Sequence, residues 1–205
     1  MVLERLAEVI STEKDLRVCG QAEDVPQALS MMAEAKPDLA IVDLTLKHSY
    51  GLELIKDIHV RWPQMDVLVV SMHDEWLHAE RALRAGARGY ITKQEATTQI
   101  LQAIRRVLGG EIYLSETMAV QIAGKIVGHT RASAAVSIDR LSDRELQVLE
   151  LIGQGYGTRQ IATELHLDAK TIETYRARIK EKLNLRDAAE VLQHAIRWRQ
   201  ATPAV

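Results

Sequence analysis

A single cysteine, Cys19, stands in the 205 residues. That excludes an internal disulfide and a cysteine-built metal site, and it fits a reducing compartment. Set in an apolar pattern, Cys19 reads as a core residue. No apolar run approaches the roughly 20 residues needed to span a bilayer. The opening MVLERLAEV alternates charge with apolar residues, unlike a secretion signal. Internal repeats are also missing, which argues against a solenoid. What remains is an ordinary soluble composition, 26% charged and 47% apolar, long enough for two domains with a core each. A cytoplasmic protein with no membrane partner is expected. The net charge of −2 hides an asymmetry: 14 Lys/Arg face 18 Asp/Glu through residue 128, but 12 face 10 from residue 129 onward. The excess positive charge lies in the second half.

That half contains the most internally consistent stretch, Leu141 to Leu185. Ser142 to Glu145 has the S-x-x-E form of a capping box, so a helix should start at Asp143. Leu146, Leu149 and Ile152 give it one apolar face, and Gly153, Gly155 and Gly157 end it. Thr158 can cap a second helix, Arg159 to His166, with Ile161, Ala162 and Leu165 inward. Asp168 can cap a third, on which Ile172, Ile179 and Leu183 form one stripe. The stripe leaves Lys170, Glu173, Thr174, Arg176, Ala177, Arg178 and Lys180 outside. From Lys170 to Arg186 six Lys/Arg face two Glu, a local net of +4. Such a helix suits a B-DNA major groove, where phosphates supply affinity and base edges discrimination. The same charge run would also suit the solvated face of a helical protein-binding module.

At LSDRELQVLELIGQG, RQIA and KTIETYRARIKEKL the segment resembles the LuxR-type helix-turn-helix of bacterial transcription regulators. The resemblance implies that the helix from Ala169 to Leu183 enters the major groove, with Glu173, Thr174 and Ala177 facing bases. Lys170, Thr171, Tyr175, Arg176 and Arg178 would be mainly backbone contacts. Thr158 and Tyr175 stand where the family often has asparagine and histidine; both still donate a hydrogen bond, so only particular phosphate contacts come into question.

The first half alternates helix and strand signals, the pattern of an α/β doubly wound parallel sheet. Helices are expected over 2–12, 25–35, 51–61, 74–85 and 97–108, and strands over 16–21, 39–43, 67–71 and 89–92. Glu111 to Val127, with Ile112, Leu114, Met118, Ile122 and Ile126, should form one more helix. In such sheets the working residues gather at the carboxyl ends of strands. Asp43, Ser71 and Lys93 fall there: an acid to attack, a hydroxyl to bond a phosphoryl oxygen, an ammonium to offset charge.

Through PDLAIVDLTL, VLVVSMHDE and RALRAGARGYITK this half resembles the receiver domain of two-component response regulators, and the whole chain a NarL/FixJ-type regulator. The resemblance makes Asp43 the phosphoacceptor, Ser71 the switch hydroxyl, Lys93 the motif lysine and Tyr90 the aromatic that changes rotamer. It departs in one place. A receiver opens with a central strand ending in two acidic residues that hold Mg²⁺, whereas this sequence starts at what looks like the following helix. Mg²⁺ at Asp43 is therefore doubtful, and weak or absent phosphorylation is expected. Glu23 and Asp24 are the substitute ligands on offer. In the 2-1-3-4-5 order such domains use, the absent strand lies between the strands at Leu16 and Leu39. Either those two close up or a partner supplies a strand, so this half should be distorted or paired between chains. The loop after Asp43 also differs, with Lys47, His48 and Ser49 where a proline-containing turn is usual.

The expected organisation is a receiver-like domain over 1–110, a helix and linker over 111–140, and a LuxR-type DNA-binding domain over 141–205. A capping box at Asp187 to Glu190 opens a last helix to about Arg199, whose Val191, Leu192, Ala195 and Ile196 suit either a dimer seam or core packing. The implied partners are double-stranded DNA, a sensor histidine kinase and a second copy of the chain as a homodimer. Two other readings stand beside this one: a phosphorylation-independent regulator whose first half only dimerises, and a hydrolase using Asp43 as a covalent phosphoryl carrier. The second would need an aspartate where Thr45 stands.

Overall fold

The computed structural model describes residues 2–46, 49–72, 75–126, 138 and 140–201. The chain divides into two compact units, Met1–Gly128 and His129–Val205. Among the described residues no helix is long and apolar enough to cross a membrane.

The first unit runs α1 (Val2–Ser11), α2 (Val25–Ala35), β1 (Leu39–Val42), a short hairpin of β2 (Thr45–Leu46) and β3 (Ser49–Tyr50), α3 (Gly51–Arg61), β4 (Asp66–Ser71), α4 (Glu75–Ala85), β5 (Gly89–Thr92), α5 (Lys93–Leu108) and α6 (Glu116–Ile126). Its sheet is parallel, in the order β1-β4-β5. Val42 pairs with Val69, and Ser71 with Thr92. Because side chains alternate across a strand, the runs LAIV and DVLVVS feed two cores. Ala40, Val42, Val67, Val69 and Tyr90 face one side, with Leu54, Ile55 and Ile58 of α3. Leu68, Val70 and Ile91 face the other, with Ile100, Ile104 and Val107 of α5 and Leu6 and Ile10 of α1.

The expected strand at Leu16–Gln21 does not form: residues 16–22 are irregular, and among the described residues no strand pairs with the outer edge of β1. The two segments do not close up either. A cavity of about 470 Å³ lies between them, walled by Leu16 and Val18 on one side and Leu39 and Ile41 on the other. A strand with no neighbour has no ladder for its amides, so Leu16–Gln21 keeps its apolar anchors without strand pairing. Cys19 is exposed, not in the core. α5 starts at Lys93, four residues before the expected Thr97, because Thr92 and Glu95 form a capping box. Residues 111–115 are not helical. Tyr113 bridges Gly89 beside β5, its carbonyl accepting from the Tyr90 amide at 2.9 Å, and α6 starts only at Glu116. The expected linker lies almost wholly outside the described residues.

The second unit consists of α7 (Asp143–Gly153), α8 (Thr158–Glu164), α9 (Ala169–Lys182) and α10 (Ala188–Ala201). The expected faces are the buried ones: Leu146, Leu149 and Ile152 on α7, Ile161, Ala162 and Leu165 around α8, and Ile172, Ile179 and Leu183 on α9. α10 packs against α7 and buries Val191 and Ala195, while Leu192 and Ile196 stay partly exposed. Gly155 takes φ +87° in the turn after α7, where a Cβ would be strained. α8 ends two residues earlier than expected: Leu165 is its C-cap, and His166 adopts φ 52° while the Leu167 amide reaches the Ala162 carbonyl at 2.9 Å.

Candidate functional site

Asp43 directly follows β1, and its position is set by contact with a glycine. The Gly51 amide donates to the Leu44 carbonyl at 2.9 Å, and a Cβ on Gly51 would lie 2.2 Å from the Asp43 carbonyl oxygen. Only glycine lets α3 start so close to the aspartate. The Asp43 carboxylate accepts from the Thr45 amide at 3.1 Å through Oδ1 and forms an ion pair with Lys93 through Oδ2. Lys93 is the first residue of α5, fixed there because the Thr92 hydroxyl and the Glu95 carboxylate meet at 2.7 Å. Ser71 ends β4, fully buried, and Tyr90 is 1% exposed within the core on the α3 side. The sheet thus brings Asp43, Ser71 and Lys93 to one carboxyl edge.

One further group was missed by sequence reasoning. Tyr50, which caps α3, and His78 on α4 are both 0% exposed, and the Tyr50 hydroxyl meets His78 Nδ1 at 3.1 Å. Their separation of 28 residues leaves no local signal.

Receiver domains in general use Mg²⁺. The described donors here do not fit one: among the described residues no three His, Cys, Asp or Glu side chains converge. Asp43 already has both oxygens engaged, and a hard cation needs about six oxygens. Asp24 lines the same cavity as Asp43, but its Oδ1 caps α2 by accepting from the Gln27 amide at 2.9 Å. The Glu23 amide donates to Gln27 Oε1 at 2.9 Å in the same turn.

In the second unit, α7 and α9 are tied through Glu145. Its carboxylate, 1% exposed as a residue, accepts from the Ser142 amide at 2.7 Å and from Lys182 Nζ at 2.6 Å. Burial pushes the Glu145 pKa up, but the bonds from Lys182 and Ser142 outweigh it, and the net shift is downward. Lys182 is therefore part of the scaffold and not of the outer basic face. Arg186 likewise pairs with Glu190 at 3.5 Å. Lys170, Arg178 and Lys180 are exposed, Arg176 half-buried, and among the described residues none of the four is in an ion pair. Glu173, Thr174 and Ala177 are exposed, and Thr171 and Tyr175 half-buried. Two expected caps differ. Asp168 is the N-cap residue of α9 without a side-chain bond. Gly157 precedes α8, its amide donating to Gln160 at 2.8 Å, so Thr158 is the first helical residue and is free to bond elsewhere.

An α/β unit with an acid, a hydroxyl and an ammonium at its carboxyl edge, followed in sequence by a helix-turn-helix unit with a basic third helix, defines a signal-responsive regulator. Residues 1–105 match the response regulator receiver domain, and residues 139–195 match the bacterial regulatory proteins of the luxR family. The chain is 32% identical to the oxygen regulatory protein NreC of Staphylococcus haemolyticus over 193 residues, 92% of this chain and 89% of that protein. Its counterpart in Staphylococcus carnosus is 31% identical over the same span. A crystal structure of a LuxR-family two-component response regulator from Aurantimonas sp. SI85-9A1 is 31% identical with a TM-score of 0.56, covering 62% of this chain and 90% of that one. RcsB of Salmonella enterica serovar Typhimurium, solved bound to promoter rprA, has a TM-score of 0.61 at 23% identity over 95% of this chain and 93% of its own. At that identity the likeness is one of fold.

The chain belongs to the response regulators of the NarL/FixJ type, in which a receiver domain is joined to a LuxR-type regulatory domain. These are transcriptional regulators, not enzymes, which sets aside the hydrolase reading of Asp43.

Proposed function

We propose that this regulator binds duplex DNA by seating α9 in the major groove, as a homodimer on a two-fold symmetric site in the cytoplasm. The observation that carries this is the partition of α9: Ile172 and Ile179 are fully buried, while Lys170, Arg178 and Lys180 are exposed and Arg176 is half-buried at the edge of that stripe, all four outside any described ion pair. Lys170, Thr171, Tyr175, Arg176 and Arg178 contact the backbone, and Glu173, Thr174 and Ala177 face bases. A dimer follows from arithmetic, since one short helix touches too few base pairs to find a site among a genome's competitors. RcsB, with a similar fold, is described bound to promoter DNA, which supports the same use here. The proposed boundaries remain 1–110, 111–140 and 141–205.

Asp43 is the proposed phosphoacceptor for a sensor histidine kinase. Its Oδ attacks the phosphorus of the kinase's phosphohistidine, so that an acyl phosphate forms as the P–N bond breaks and the imidazole leaves, while Ser71 donates to a phosphoryl oxygen and Lys93 leaves its ion pair with Asp43 for the new negative charge. Tyr90 is the proposed switch aromatic. With no fitting Mg²⁺ ligands among the described residues, transfer should be weak. A gain of one phosphoryl mass on incubation with acetyl phosphate and Mg²⁺, lost in Asp43→Asn, checks the acceptor. For DNA, Arg176→Ala should weaken binding to all duplexes alike and reduce the salt slope by about one unit. Affinity that does not change between about 50 and 200 mM salt would remove the claim.

A further inference from the structure

Helices α8 and α9 of the DNA-reading unit are joined by a polar contact on the outer surface. The Thr158 hydroxyl, at the start of α8, donates to Glu173 Oε1 on α9 at 2.7 Å, across 15 residues of sequence. Glu173 is exposed, about 100° round α9 from the buried Ile172. It is the one acidic residue between Lys170 and Lys180. A threonine hydroxyl has one proton, so while it serves Glu173 it cannot also serve a phosphate.

A carboxylate on a surface meant for DNA is repelled by every phosphate, so its presence needs a specific donor. Ionised carboxylates only accept. In the major groove the donors are the exocyclic amines of cytosine and adenine. On adenine the amine stands beside N7, itself an acceptor, which repels the second carboxylate oxygen. On cytosine it stands beside a C–H. Resting on the DNA-binding reading above, we infer that Glu173 accepts from the N4 amine of a cytosine in each half-site, and that Thr158 is a positioning residue that holds the carboxylate ready for it.

Thr158 thereby acts on base preference without touching a base. With one Glu173 oxygen held by the hydroxyl, the other is presented in a fixed direction. Without the hydroxyl the side chain is free to turn toward Lys170, one helical turn away.

The test uses the full chain and a randomised duplex library, followed by affinities for duplexes with each base at the preferred position. The unmodified protein should prefer cytosine at one position per half-site by about tenfold. Glu173→Gln should move that preference to adenine, which a carboxamide pairs bidentately. Thr158→Val should cut the cytosine preference severalfold while affinity for duplexes lacking it changes less than twofold, and Thr158→Ser should restore it. An unchanged cytosine preference in Glu173→Gln would overturn the assignment of the reader, and full discrimination in Thr158→Val would overturn the positioning role. If the unmodified chain binds no duplex, the DNA-binding reading itself falls and this inference with it.

Discussion

Replacing Glu145 with alanine should loosen the helix-turn-helix unit more than any surface change near it. The carboxylate is almost wholly buried and closes both the α7 capping box and the tie to α9 through Lys182. Loss of the bond from the Ser142 amide, the returning half of the capping box, should cost about 1 kcal/mol. Loss of a charge-assisted bond to Lys182 should cost about 1–2 kcal/mol more. The total stays below the 3–5 kcal/mol typical of orphaning a buried charge, because the Lys182 side chain is 37% exposed and can turn to water. Hydrogen–deuterium exchange on the full chain reads this directly: about 2–3 kcal/mol is a roughly 30- to 150-fold faster opening for peptides from α7 and α9, with those of the first unit unchanged. Glu145→Gln keeps the cap acceptor and should lose about half as much. The folded pKa of Glu145 is lowered, so its charge stabilises the fold fully above the ordinary carboxylate value of about 4.3 and the contribution is lost as pH falls from there through the folded value. Glu145→Gln should flatten that acid limb. Exchange in Glu145→Ala within twofold of the unmodified chain would refute the reasoning.

Gly51→Ala should destabilise the first unit and displace Asp43, because the added Cβ would meet the Asp43 carbonyl; near-native melting and an unchanged Asp43 amide resonance would contradict this. Ile172→Ala and Ile179→Ala, both at fully buried positions, should each cost about 2–5 kcal/mol in denaturant unfolding of the second unit. The pKa of His194 is lowered by burial and by Arg197. Protonation therefore favours the unfolded chain, and stability that is full above about 6.5 should fall as pH drops below that value. His194→Gln should remove that loss in a pH series of melting temperatures.

The second unit was legible in the sequence because its signals are local and redundant. Ser142 and Glu145 fix where α7 starts, and the spacing of Ile172, Ile179 and Leu183 fixes which side of α9 is buried. The missing partner of that reading was non-local: nothing near Glu145 announces Lys182, nor anything near Thr158 its bond to Glu173. In the first unit the apolar runs at Leu39–Val42 and Asp66–Ser71 declared a sheet buried on both faces, and their ends declared Asp43 and Ser71. Leu16–Gln21 has the same propensity and failed as a strand. Propensity describes a side chain's fit to a pleated surface, whereas a strand also needs a neighbour's backbone, and among the described residues none pairs with the outer edge of β1. The start of α5 lies four residues before the expected Thr97, although its signal, the capping pair Thr92 and Glu95, is present in the sequence. The apolar neighbours of Tyr113 predict a helix there, but tertiary pairing with β5 takes it instead.

Placement of α9 in the major groove is tested most directly by methylation interference on a duplex the protein has selected. Methyl groups at guanine N7 occupy the major groove, and those at adenine N3 the minor groove. The expected result is loss of binding from guanine N7 methylation in two clusters about one helical turn or a multiple of it apart, with adenine N3 methylation harmless. Interference from adenine N3 alone, or from neither, would contradict the claim.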